Sequence, residues 1–143
     1  MASFNKINDF VKNAVENMDL ASDTLIVALS NTAPGSESSN PTADGNGILG
    51  NVTQISYSNL SSRTLANVSS TQTSGTYKLS ADDLTLTASG TVAAFRYVYI
   101  YDDTVTSPAD PLIGYYDYGS SLVLNNGDTF TIDIGTNGIL TLT

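Results

Sequence analysis

Aromatic side chains concentrate in one part of the chain, between residues 95 and 118. The members of this set are Phe95, Tyr97, Tyr99, Tyr101, Tyr115, Tyr116 and Tyr118. Successive side chains of a strand point to opposite faces, so the first four are predicted to share one face, and Tyr115 to face away from Tyr116 and Tyr118. Aromatic sets of this kind bind sugars, form hot spots of subunit interfaces or pair across strands within a sheet. The sequence leaves all three roles open.

Aspartates form a second set with possible chemistry, namely Asp82, Asp83, Asp102, Asp103, Asp110 and Asp117. Carboxylates can bind calcium or act in pairs as the acid and base of a glycosidase. Most of these residues fall at predicted turns or strand ends, where Asp is favoured because it hydrogen-bonds to the local backbone. The turn role is the preferred interpretation, and no metal site is predicted.

Nucleophilic catalysis lacks the residues that it needs. The chain has no His and no Cys, so Ser-His-Asp and Cys-His arrangements are impossible, and disulfides are excluded as well. A Ser-Lys pair would have to use one of three lysines, none of which stands in a recognisable motif. We therefore expect a protein that is not an enzyme, with no catalytic residues, no cofactor and no bound metal.

Charge also restricts the possible partners. The net charge is −9, and only 5 of the 143 residues are basic. Nucleic-acid binding requires Lys and Arg to neutralise phosphates, so no nucleic-acid partner is expected. The start of the chain shows no signal-peptide pattern, and no apolar run approaches the length of a membrane span, so no membrane partner is expected either.

An amphipathic pattern at the start of the chain predicts the one helix, over residues 4–18. Phe4, Ile7, Val11, Val15 and Met18 recur at steps of three and four residues, which places them on one face of a helix. Such a helix either packs on its own sheet or docks as an arm on a neighbouring subunit. Both alternatives remain open from the sequence.

The rest of the chain reads as short strands separated by turns. Strands are predicted at 24–30, at 94–102, at 112–118 and, more weakly, at 52–57 and 63–68, with hairpins turning at 81–83 and at 125–128. Turn signals at intervals of eight to twelve residues are typical of a sandwich or barrel. The predicted fold is all-β, an antiparallel jelly-roll-like β-sandwich with one short N-terminal helix.

The predicted organisation is a single domain, residues 1–143. Residues 1–20 form the helix or arm, and residues 21–143 form the sandwich. A long connection, residues 31–50, is rich in Ser, Gly and Pro. Connections of this length without secondary structure are usually functional or disordered. We therefore expect either this loop or the helix to contact another subunit.

Several segments together resemble a family of small virion structural proteins of tailed bacteriophages, of the capsid decoration (cement) type. They are DTLIVALSNTAP (23–34), TSGTYKLSADDLTLTASG (73–90), FRYVYIYDD (95–103), DPLIGYYDYGSSLVLNNGDTFTIDIG (110–135) and NGILTL (137–142). The DPLIGYYDYGSS portion is the most specific part. The similarity covers nearly the whole chain except residues 36–50, which depart from the pattern.

The resemblance implies a place in the phage particle, and the acidic charge favours the outer surface of the head, because packaged DNA would repel the chain. There the protein would decorate and stabilise joints between subunits of the major capsid protein, its expected partner, as a homo-oligomer, in particular a homotrimer. The residues predicted to form interfaces are Phe4, Ile7, Val11, Tyr97, Tyr99, Tyr101, Tyr116 and Tyr118. The alternative function is that of a head-fibre or tail component that binds a host-surface glycan.

Overall fold

Antiparallel β-strands dominate the computed structural model, which describes residues 2–35 and 47–143. The strands are β1 (Phe4–Lys6), β2 (Leu25–Ser30), β3 (Ser69–Thr73), β4 (Thr76–Ser80), β5 (Leu84–Thr87), β6 (Phe95–Asp102), β7 (Leu112–Leu122), β8 (Thr129–Ile132) and β9 (Leu140–Leu142). The helix α1 spans Phe10–Glu16, and a short 3-10 turn spans Leu49–Asn51. The predicted all-β class with one short helix is confirmed.

The strands form one larger sheet and two smaller ones. The four-stranded sheet has the order β1-β7-β6-β2, the three-stranded sheet β3-β4-β9, and β5 pairs with β8. Among the described residues every pairing between these strands is antiparallel. Side chains from all three sheets, such as Val98, Leu79 and Leu86, meet in one hydrophobic cluster. The layers therefore pack as a sandwich around a shared core.

Strand β6 is buried on both of its faces. Tyr99 and Ile100 are consecutive and point to opposite faces, yet both are 0% exposed. Strand β2 lies along one edge of β6, with Ala28 opposite Tyr99, and β7 lies along the other, with Tyr115 opposite Tyr99. The unbroken apolar runs of β2 and β6 predicted this double burial, because a half-exposed strand alternates apolar and polar residues.

The N-terminal helix is shorter than predicted, and the first part of the predicted segment is a strand. Phe4 pairs with Tyr116 and Lys6 with Gly114, so β1 covers the free edge of β7. The N–H of Ile7 then donates to the carbonyl of Ile113 (3.1 Å). Backbone groups at the edge of β7 need partners, and this need overrides the helical spacing of the apolar residues before Phe10.

Two predicted hairpins are wrong, although their turns are present. Strand β4 pairs with β3 and β9, not with β5, and β8 pairs with β5, not with β7. At the first turn, the Asp83 carboxylate accepts the N–H of Ile134 (2.7 Å), just beyond β8. This bond holds the start of β5 beside the end of β8. At the second turn, the N–H of Ala88 donates to the backbone carbonyl of Asp128 (2.9 Å), and this bond aligns β8 with β5.

The weak strands predicted at 52–57 and 63–68 are not strands, but their residues pair with β2. Single bridges join Gln54 to Ser30 and Thr64 to Ile26. The N–H of Ile55 also donates to Leu29 (3.0 Å). The segment 53–65 thereby covers the outer edge of β2, which would otherwise present unpaired backbone groups.

The long connection at 31–50 is described only at its two ends, and residues 36–46 lie outside the described part. At the first end, the Ser30 hydroxyl donates to the carbonyl of Thr53 (2.6 Å). At the other end, the N–H of Leu49 donates to the backbone carbonyl of Asp110 (2.9 Å), and the N–H of Leu112 donates to the carbonyl of Gly47 (2.8 Å). The expectation that this loop contacts another subunit stays a prediction.

Gly114 provides a test of how β1 is attached. A methyl group at this position would collide with the Phe4 ring and with the backbone oxygen of Asn5. We expect Gly114→Ala to lower the free energy of unfolding by about 1–3 kcal/mol, because β1 must shift to make room. Urea denaturation measures this. The control is Gly50→Ala, whose added carbon would meet only Ile48, at 3.8 Å. Equal unfolding midpoints for the two variants would contradict close packing of β1 on β7.

Candidate functional site

A β-bulge divides the aromatic residues of β6 between the two faces of the sheet. Phe95 lies opposite Leu122 and Tyr97 opposite Asp117, so β6 advances two residues while β7 advances five. Phe95 packs edge-on against Phe130 of β8 at 5.3 Å between ring centroids. The prediction that Phe95 shares a face with Tyr97, Tyr99 and Tyr101 is therefore wrong, because the bulge breaks the alternation on which it relied.

One face of the large sheet carries four tyrosines, and we call it the tyrosine face. It comprises Tyr97, Tyr99, Tyr101 and Tyr115. The Tyr115 ring lies 6.4 Å from that of Tyr97 and 5.6 Å from that of Tyr99. Tyr97 and Tyr101 are 7% and 5% exposed. In this conformation the three tyrosines of β6 are thus largely covered by the chain itself, and their role at an interface stays a prediction.

The opposite face, the core face, carries the second aromatic group. The ring centroid of Tyr116 lies 5.1 Å from that of Phe4 and 6.3 Å from that of Tyr118. The ring centroids of Tyr118 and Phe130 are 4.9 Å apart. Burial, with smaller effects of Tyr118 and Asp133, raises the pKa of Tyr116 to about 12. The predicted separation of Tyr115 from Tyr116 and Tyr118 is confirmed by these contacts. Aromatic pairing across strands is the role that the described geometry gives this group.

An ion pair fixes the bulge. The Arg96 guanidinium donates to both carboxylate oxygens of Asp117, at 2.7 and 3.1 Å. The N–H of Gly119, which adopts a φ of 82°, donates to the same carboxylate at 2.8 Å. Arg96 and this N–H hold the pKa of Asp117 below its ordinary value. This bidentate geometry is the strong form of the Arg–carboxylate interaction, so Asp117 has a structural role.

Two residues that sequence reasoning did not single out, Tyr57 and Arg63, cover the far side of β2. The Arg63 guanidinium stacks 3.6 Å from the centroid of the Tyr57 ring and donates to the carbonyl of Val27. The Tyr57 hydroxyl donates to Gln54 (2.7 Å) and accepts the N–H of Leu29 (3.0 Å). Burial raises the pKa of Tyr57 and of Tyr101, although Arg63 acts in the opposite direction on both. The signal in the sequence that could have revealed this pair was a lone Arg in a Ser/Thr-rich stretch.

The helix presents a different face from the predicted one. Phe10 is 0% exposed and packs in the core, whereas Val11 is 47% and Val15 83% exposed. Ile7, predicted to lie on the same face as Val11, is 1% exposed. The structure therefore separates the predicted interface residues of this segment, leaving Val11 accessible and Ile7 buried.

A groove runs along the exposed side of α1, and we call it the helix groove. Its apolar half has a volume of about 630 Å³ and is lined by Ala14, Leu20, Ala21, Tyr77 and Leu142. Its acidic half has a volume of about 500 Å³ and is lined by Glu16, Asp23 and residues 104–107. Val15, Met18 and Asp19 line both halves.

A buried carboxyl group lies behind the acidic half of the helix groove. Asp102 is 0% exposed, and its Oδ1 accepts the N–H groups of Thr104 (2.9 Å) and Val105 (3.2 Å). Within the described residues, Oδ2 has no hydrogen-bond partner. The neighbouring Asp23 carboxyl can share a hydrogen bond with it only when one of the two acids is protonated. Burial, and then this neighbour, raise the pKa of Asp102 to about 7.

Several of the aspartates singled out from the sequence accept local hydrogen bonds. In residues 2–35 and 47–143, no group of three or more His, Cys, Asp or Glu side chains could hold a metal ion. Asp82 accepts a hydrogen bond from Asn67 (2.6 Å), and Asp83 accepts backbone N–H groups beyond β8.

In the same described residues, no helix is long and apolar enough to cross a membrane.

Comparisons of this chain with protein-family models, with curated proteins and with solved structures return no match. Its function is therefore inferred from its own residues and their geometry.

The Asp102 carboxyl predicts an unusual dependence of stability on pH. Its pKa is raised in the folded protein, so its stabilising contribution is complete below its ordinary value of 3.8 and disappears as the pH rises through about 7. In Asp102→Asn, the amide keeps an acceptor for Thr104 and Val105 and carries no charge. We expect this variant to melt at a higher temperature than the wild type at pH 8, with the difference shrinking toward pH 4.

Thermal melts across this pH range, monitored by circular dichroism, provide the measurement. The control is Asp103→Asn, which changes the adjacent but exposed carboxylate and is expected to show no such trend. A difference in melting temperature between Asp102→Asn and wild type that is the same at pH 4 and pH 8 would contradict the raised pKa.

Tyr99 tests whether the tyrosine face is part of the closed core. The ring is 0% exposed within the chain, so Tyr99→Ala is expected to lower the free energy of unfolding by about 3–5 kcal/mol. Chemical denaturation of the purified protein measures the loss. Val123→Ala, at a position 51% exposed, is expected to change it by less than about 0.5 kcal/mol. A similarly small effect for Tyr99→Ala would show that the tyrosine face opens in solution.

Proposed function

We propose that this chain is a non-enzymatic structural protein of a tailed-phage virion. It decorates the outside of the head, where it stabilises joints between subunits of the major capsid protein. The observation that carries this proposal is the exposure of two valines, Val11 and Val15, on α1. Val15 is 83% exposed on a helix whose Phe10 is 0% exposed. A helix that is anchored on one side and exposes valines on the other is suited to contact another protein.

The sequence resemblance and the charge support the same proposal. The segment 110–121, the most specific part of the resemblance, forms the end of the loop before β7 and most of β7 itself. A chain with a net charge of −9 is repelled by packaged DNA, which favours the outer surface of the head. Modest contacts suffice for such a protein, because many copies act together on one shell. A homotrimer suits a three-fold joint.

A second candidate function, binding of a host-surface glycan as a head-fibre or tail component, is favoured by one observation. A cavity of about 890 Å³ is lined by Phe4, Tyr116, Asp133 and Asn137, together with Lys78. Aromatic rings beside polar side chains are common in ligand-binding cavities. Glycan-array binding by the wild type that is lost in Asn137→Ala would favour this function over decoration of the shell.

The proposal predicts a measurable weakening of the shell. Heads produced without this protein are expected to assemble but to release their DNA at a lower temperature, because contacts across subunit joints are missing. Release is followed by the fluorescence of a DNA-binding dye during heating, and adding back purified protein is expected to restore the wild-type temperature. Unchanged release temperature together with lost adsorption to cells would overturn decoration and favour glycan binding.

A further inference from the structure

We propose that the helix groove is the docking site for a segment of the shell protein in which an apolar side chain lies next to Lys or Arg. This inference rests on the proposed function and adds to it which surface makes the contact and what chemistry the partner segment has.

The shape and polarity of the groove support an apolar anchor. The apolar half opens between α1 and the sheet that contains β4 and β9, where Tyr77 lies opposite Leu142. Val15, which belongs to both halves of the groove, is one of the most exposed large apolar side chains in the described residues. Covering it removes apolar surface from water, which is favourable at about 25 cal/mol per Å².

The acidic half supports a basic neighbour for that anchor. Glu16 and Asp19 are exposed and Asp23 is half-buried. No Lys or Arg of the described residues lines either half. Among the described residues, Glu16 forms one long ion pair, with Lys12, at 4.0 Å between exposed side chains, and such surface pairs are weak. A cation from a partner therefore meets carboxylates with little internal competition.

Asp19 connects the two halves. It lines both, and it lies near enough to Tyr77 to contribute, after burial, to the raised pKa of that phenol. Asp23, further along the acidic half, adjoins the buried Asp102 carboxyl. The order of the groove is thus apolar pocket, Asp19, then Asp23. This order favours an occupant in which an apolar side chain lies next to a basic one.

A second copy of this chain fits the groove less well. Each copy carries a net charge of −9 and only five basic residues. Of these, Arg96 is paired with Asp117, Arg63 stacks on Tyr57, and Lys78 donates to the carbonyl of Thr136. The charges of the groove are complementary to a basic segment rather than to another acidic surface.

Two pairs of matched variants test the proposal in a binding assay with bare heads. Val15→Gln removes the apolar contact without adding charge, and its control is Val123→Gln at a second exposed valine. Asp19→Lys reverses the charge of the groove, and its control is Asp133→Lys at an exposed aspartate away from it. Thermal melts verify that all four proteins are folded. We expect each groove variant to bind bare heads at least about tenfold more weakly than its control.

Salt provides an independent readout of the basic partner. Wild-type affinity is expected to fall as NaCl is raised from 50 to 500 mM, because salt screens attraction between charges. Asp19→Lys is expected to show a smaller dependence than Asp133→Lys.

The outcomes separate this inference from the proposed function. If wild-type protein does not bind bare heads, decoration fails, and the docking site with it. If wild type binds but all four variants bind equally, decoration stands and the helix groove is not the contact. If Val15→Gln leaves head binding unchanged and lowers the oligomeric state seen by analytical ultracentrifugation, the groove holds a second copy, which also overturns the proposal.

Discussion

The double burial of β6 is the constraint on which the rest of the structure depends. A strand with Tyr99 on one face and Ile100 on the other, both fully enclosed, needs cover on two sides. The core face receives that cover from the smaller sheets, through residues such as Leu79 and Ile132. Beside the tyrosine face, the segment 53–65 lies along β2 with almost no regular structure of its own. The irregular middle of the chain is therefore as necessary to the fold as the strands.

The few basic residues serve this same constraint. Arg63 lies over Tyr57 at one side of the tyrosine face, and Arg96 pairs with Asp117 beside Tyr97 at the other. Guanidinium groups suit these places because they stack on rings and bind carboxylates at the same time. Both arginines are therefore engaged within the fold, and neither lines the acidic half of the helix groove.

Local patterns predicted the elements whose environment is uniform, and failed where partners are distant in sequence. The continuous apolar runs of β2 and β6 were sufficient to place both strands, because burial on two faces leaves a simple pattern. The turn at 125–128 was recognised from its Asn and Gly residues. Its hairpin was not correct, because the pairing of β8 with β5 depends on Ala88 and Asp128, which are far apart in the chain. The bulge at Arg96 likewise depends on Asp117 and Gly119 of another strand. The same limit applies to the candidate site, since the helix groove joins residues of α1 to Tyr77 and Leu142.

Helix α1 is held from several directions. Strand β1, just before it, is hydrogen-bonded to β7, Phe10 is enclosed beneath it, and after it the N–H of Asp19 donates to the Asp23 carboxylate (2.9 Å). A surface supported in this way is held in one conformation, so contact with a partner would cost little conformational entropy. Association then needs no slow rearrangement of this helix. The lifetime of any complex formed there is determined by the rate at which the partner leaves, and that rate depends on the complementarity of the groove itself.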